Sequence, residues 1–206
     1  MTFSSQKSNL LKSTCEDTLG PYYPIPFCDD DTLDLTTSHA GLVSQVYGNR
    51  IILNGTIKDR FGNLCNGALL EFWQPNANGL YRIPENENHK LIDPWFTGYA
   101  RTRTKDGSFA LKTIMPGIAT NGDIVRAPNV TLTIFSDGIM RIVTQIFFEG
   151  EKENKNDPLL SSLPEDLQPR LIARKVTNNG STIQEYSIDI IMAGENETPF
   201  FDDLLS

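Results

Sequence analysis

The stretch APNVTLTIFSDGIMRIVTQIFF, residues 127–148, consists of two runs rich in β-branched and aromatic residues, separated by Ser136-Asp137-Gly138. That turn chemistry between alternating runs predicts a β-hairpin. Side chains alternate across a strand, so Val130, Leu132 and Ile134 face a core. Asn129, Thr131 and Thr133 present small polar groups on the other side. Metal ligands on such a strand would stand at positions i and i+2 of the polar face. Those positions hold Asn129 and Thr131, a carboxamide and a hydroxyl, which are poor ligands for a redox-active metal.

Outward from the hairpin, the same signals recur. Short apolar or alternating runs at 50–58, 68–74, 99–104, 109–114, 171–176 and 182–192 join 130–135 and 141–148. Turn sequences separate them at 59–63 (DRFGN), 76–79 (NANG), 106–107 (DG) and 178–180 (NNG). Many short strands at this spacing predict an all-β protein, a β-sandwich with long loops. One short helical turn is expected near 163–170, with Pro164 in its first position and Glu165-Asp166 at the positive end of its dipole.

The 206 residues, 39% hydrophobic, can bury a core of one structural domain. Residues 1–48 read as an N-terminal arm and 49–206 as the sandwich. A formal charge of -8, with no basic run, argues against nucleic acid or an anionic membrane as partner. Small molecules and other proteins are the expected partners. No stretch reaches membrane-spanning length and the start has no apolar leader, so the expected location is the cytoplasm. Cys15, Cys28 and Cys65 are odd in number and lack metal-site spacing, which fits reduced thiols. His39 and His89, the only histidines, lie in polar loop sequence without partners at ligand spacing. In the arm, TLGPYYPIP (residues 18–26) is barred from regular structure by glycine and proline. It reads either as a segment packed on the sandwich or as a rigid wall reaching a site.

At 67–81, GALLEFWQPNANGLY, the sequence resembles the intradiol ring-cleavage dioxygenases, in which a strand ending in Trp-Gln precedes an Asn-Ala-x-Gly-x-Tyr turn. Further matches follow in order: GYARTRTKDGSFALKTIMPG (98–117), APNVTLTIF (127–135), TQIFFEGE (144–151), DPLL (157–160), LIARK (171–175) and GENETPFFD (194–202). With LGPY at 19–22 they cover most of the chain. The resemblance implies a prealbumin-like β-sandwich. The closing segment and the insert at 151–169 look like the α-type subunit of the protocatechuate-cleaving branch rather than its iron-bearing β subunit.

The family's ferric iron is held by two tyrosinates and two histidines, anionic phenolates favouring the oxidised metal. Tyr81 matches one tyrosine. The segment IATNGDIVRAP (118–128) has none, and Asn129 and Thr131 stand where the His-x-His would be. The resemblance therefore implies a chain without iron of its own, with Fe(III) bound by a homologous β subunit. That partner would cleave a protocatechuate-like catechol between its hydroxyls with dioxygen. Thr18, Gly20, Pro21 and Tyr22 match the arm that lines the partner's pocket. Related α chains often carry Arg at the hairpin turn where this chain has Asp137, so Arg126 and Arg141 become candidates for the substrate carboxylate. The alternative is a metal-free sandwich derived from the fold that binds a ligand or a protein.

Overall fold

The computed structural model describes residues 33–37, 45–136, 140–177 and 182–201. Its strands are β1 (Arg50–Lys58), β2 (Leu69–Trp73), β3 (Tyr99–Arg103), β4 (Ser108–Ile114), β5 (Ala119–Asn121), β6 (Ile124–Arg126), β7 (Asn129–Ser136), β8 (Met140–Phe148), β9 (Ile172–Val176) and β10 (Gln184–Ile191). The expected hairpin is present: β7 and β8 pair antiparallel from Asn129↔Phe147 to Ser136↔Met140. Asp137 and Gly138 of its turn lie outside the described residues, as do residues 1–32 and 38–44 of the arm, with Cys15, Cys28 and His39 among them.

Eight strands run in the order β3-β2-β7-β8-β9-β10-β1-β4. The sheet curls into two leaves that meet at a short parallel contact, Phe147↔Ile172 and Phe148↔Ala173. The second leaf is centred on β1, which pairs parallel with β10 and antiparallel with β4. Alternation works as the sequence predicts. In β7 the residues Val130, Leu132 and Ile134 are fully buried, and in β2 Leu70 and Phe72 are as well. They meet Leu53 and Ile57 of β1, Leu111 of β4 and Ile190 of β10 in one core. Residues 33–35 extend the second leaf along β4, where Leu35 N donates to Lys112 O at 2.9 Å and Lys112 N to Leu33 O at 2.8 Å.

The short helical turn expected near 163–170 is present, Leu167 N and Gln168 N donating to Pro164 O, and an α-helix that was not expected precedes it, α1 (Pro158–Ser162). Asp157 caps it and Pro158 takes the first turn, the same chemistry the sequence offers at Pro164 but with a side-chain acceptor in place. Residues 163–170 form a turn and the start of a 3₁₀ helix, Gln168–Leu171. The segment after Gly117, for which the sequence reading names no strand, folds into the small β5–β6 hairpin. No described helix is long and apolar enough to cross a membrane.

The excursion between β8 and β9 lies back over the polar face of the first leaf. Leu160 of α1 and Leu171 close over Phe147 and Ala127 in a second small cluster. This fold-back carries Asp157 to the start of β7.

Candidate functional site

The turn after β2 sets the position of Tyr81. Asn76 folds it, its Oδ1 accepting from Asn78 N at 2.9 Å and Leu80 N at 3.1 Å. Gly79 takes a φ of +80°, and a Cβ there would stand 1.8 Å from Ile118 O, so only glycine fits. Tyr81 then turns back on β2 and stacks on Trp73, ring centroids 5.6 Å apart at 26°. Burial pushes its phenol above the ordinary value of 10.0, and the nearby Arg126 guanidinium opposes that rise. Among the described residues the hydroxyl has no hydrogen-bond partner.

Arg126 closes β6 beside this ring. Its Nε donates to Asp157 Oδ2 at 2.9 Å, and its Nη2 donates to Gln145 Oε1 of β8. Asp157 is fully buried and also accepts from Ala127 N at 2.8 Å and from Leu159 N and Leu160 N at 3.0 Å each. One carboxylate thus caps α1, holds the entry to β7 and neutralises Arg126. The register puts Thr131 between Trp73 and Gln145. Asn129, 2% exposed, donates from Nδ2 to Ala127 O at 2.7 Å, and its Oδ1 has no partner among the described residues.

The structure therefore gathers Tyr81, Arg126, Asn129 and Thr131 at one end of the first leaf. Arg141 is elsewhere. It is exposed and sits opposite Phe135, six strand residues from the Asn129↔Phe147 pair, about 20 Å away. Thr18, Gly20, Pro21 and Tyr22 lie outside the described residues. Asp157 and Gln145 were missed by sequence reasoning. Asp157 had a signal, since Asp before Pro-Leu-Leu reads as a helix cap. Gln145 had none, because its role depends on which arginine the fold brings opposite.

A ferric ion does not fit what is here. One phenol, a carboxamide and a hydroxyl stand where the resemblance implies phenolates and imidazoles, and a carboxamide and a hydroxyl are poor ligands for ferric iron. His89 lies on the loop before β3, its Nδ1 accepting from Leu91 N at 3.2 Å. Among the described residues no group of three or more His, Cys, Asp or Glu side chains could hold a metal. A cavity of about 520 Å³ opens between the two leaves, lined by Thr102 of β3 on one side and by Asn54, Thr56, Ser108 and Phe109 of β1 and β4 on the other, and none of the candidate residues lines it.

A family model described as dioxygenase matches residues 19–194. The chain belongs to the intradiol dioxygenase family. It is 32% identical over 204 residues to the protocatechuate 3,4-dioxygenase alpha chain of Pseudomonas putida, covering 94% of this chain and 98% of that one. It is also 32% identical over 197 residues to the beta chain of the Burkholderia cepacia enzyme, covering 92% of this chain and 83% of that one. Among solved structures, the dioxygenase domain of a Streptomyces sp. SirexAA-E fusion protein superposes with a TM-score of 0.60 at 23% identity, covering 91% of this chain and all of that one. The last likeness bears on the fold, and it agrees with the all-β sandwich of the intradiol dioxygenases. The family uses Fe(III), and this member presents a donor set unsuited to it at the strand where the resemblance puts the ligands.

Proposed function

We propose that this chain is the non-metal, α-type subunit of a protocatechuate 3,4-dioxygenase, working in the cytoplasm. The observation that carries the reading is the occupancy of the polar face of β7, where Asn129 and Thr131 replace both histidines beside a protonated Tyr81. The partner is a homologous iron-bearing β subunit, and Fe(III) supplies there the activation of the catechol toward dioxygen. This chain contributes shape and exclusion of water, which act by positioning and not by acid–base chemistry. Thr18, Gly20, Pro21 and Tyr22 form a rigid wall of the partner's pocket. Arg126 or Arg141 contacts the substrate carboxylate, and Arg126 is already ion-paired with Asp157.

Kinetics of the assembled enzyme test the wall. Tyr22→Ala should leave iron content and colour unchanged and lower kcat/KM for protocatechuate about 10- to 100-fold, the loss of roughly 1–3 kcal/mol expected when a buried polar partner goes unsatisfied. Unchanged kinetics would remove the arm from the pocket. A chain that binds no dioxygenase-like partner would favour the binding-module reading.

A further inference from the structure

The chain contains Asn-Gly pairs whose fates in the fold differ. Such a pair can modify itself. The glycine N attacks the asparagine Cγ and expels ammonia, forming a succinimide; water then opens the ring to aspartate or to isoaspartate, in which the chain runs through the side-chain carbon. The reaction needs a carboxamide free to turn and a glycine N–H free to react.

Three of the four described pairs fail one or both conditions. Asn54 Nδ2 donates to Glu185 Oε2 at 3.2 Å, and Gly55 is locked inside β1 between β4 and β10. Asn66 is exposed, but Gly67 N donates to Thr104 O at 2.8 Å. Asn78 Nδ2 donates to Leu91 O at 3.0 Å and Gly79 N to Asn76 O at 3.0 Å. Asn121-Gly122 meets both. It is exposed at the tip of the β5–β6 hairpin, and among the described residues neither the Asn121 carboxamide nor the Gly122 N–H has a hydrogen-bond partner. Gly122 has a φ of +58° with no atom within 4 Å of where a Cβ would be, so nothing covers the tip on that side.

We infer that Asn121 is a self-modification site, a preferred point of succinimide and isoaspartate formation in the folded chain. The consequence is local and directed. A new carboxylate appears two residues from Asp123, and an isoaspartate adds a backbone carbon to β5 at its Asn121↔Ile124 pair. The strand displaced is β6, which ends in Arg126 and so bears on Asp157 and Tyr81.

The test is a time course of the full-length chain in mildly alkaline buffer, followed by peptide mapping for amide loss and enzymatic methyl labelling of isoaspartate. Among the four described pairs the Asn121 peptide should lose its amide first, about tenfold or more ahead of the Asn78 peptide, whose two hydrogen bonds must open beforehand. In concentrated urea the four rates should converge. Asn121→Gln should abolish the fast phase while leaving the folded chain's spectrum unchanged. Loss at Asn66 or Asn78 before Asn121, equal rates in the folded chain, or an intact Asn121 over a period in which the unfolded chain is fully converted would each overturn the assignment. None of these outcomes depends on the subunit reading.

Discussion

At the scale of single residues, Tyr81 and Asp157 carry the site. Tyr81 was legible as a family tyrosine, but its state follows from burial against Trp73, which the sequence does not state. Because burial raises its pKa, the phenol stays neutral in the folded chain after it would ionise in the unfolded one. Stability should therefore be unaffected below the ordinary 10.0 and should fall as the pH rises beyond it. Alkaline ultraviolet titration checks this: Tyr81→Phe should remove one late-ionising phenol, leaving Tyr186, which burial also raises, as another. A Tyr81 that ionises at or below 10.0 would contradict the account. Asp157 was legible only as a cap. Its second task, neutralising Arg126, required the excursion to fold over β7. Asp157→Ala should cost about 3 kcal/mol in urea unfolding, the lower end for a broken buried pair because Arg126 still reaches water. Asp157→Asn should cost less, since it keeps an acceptor for α1. Equal stability of Asp157→Ala and the unmodified chain would dismiss the network.

At the scale of elements, every strand of the large sheet was readable from alternation or a short apolar run, within one or two residues at its ends. The signal is strong in β1, β2, β4 and β10, where burial alternates along the strand, while residues 144–148 of β8 are buried on both faces and Ile146, Phe147 and Phe148 read as a continuous apolar run. β5 and β6 were lost because three residues are too few to show a period, and their side chains are mostly exposed. Strand order was not legible either: the parallel pairs β1–β10 and β8–β9 join residues far apart in the chain, and no local pattern marks them. The turn that holds Tyr81 is the element most open to test. Gly79→Ala combines positive φ with a clash against a backbone carbonyl, so it should destabilise by roughly 2 kcal/mol or more. Near-ultraviolet circular dichroism of the Trp73–Tyr81 stack should change with it. A variant with the original stability and spectrum would mean the turn tolerates a side chain.

At the scale of the whole molecule, the surface is not evenly polar. Tyr47, Leu91, Trp95, Ile118, Ile124 and Val125 are large, apolar and exposed among the described residues. They sit on segments joined around the Asn76–Tyr81 turn. Tyr47 N bonds Asp93, Asn76 and Asn78 bond Leu91 O, and Gly79 abuts Ile118. Apolar area of this kind is commonly covered in an assembly. On the proposed subunit reading, the chain made alone should self-associate as concentration rises, and Trp95→Ser with Ile124→Ser should weaken that association in sedimentation velocity. A monomer at all concentrations would count against dependence on a partner. The central claim is that this chain carries no iron and works beside one that does. Metal analysis of the chain purified alone from iron-supplemented cells, set beside its complex with an iron-bearing dioxygenase chain from the same source, tests this most directly. The account predicts a colourless isolated chain with far less than one iron per molecule and a coloured complex with iron in proportion to the partner. One ferric ion per isolated chain, with visible tyrosinate absorption, would contradict it.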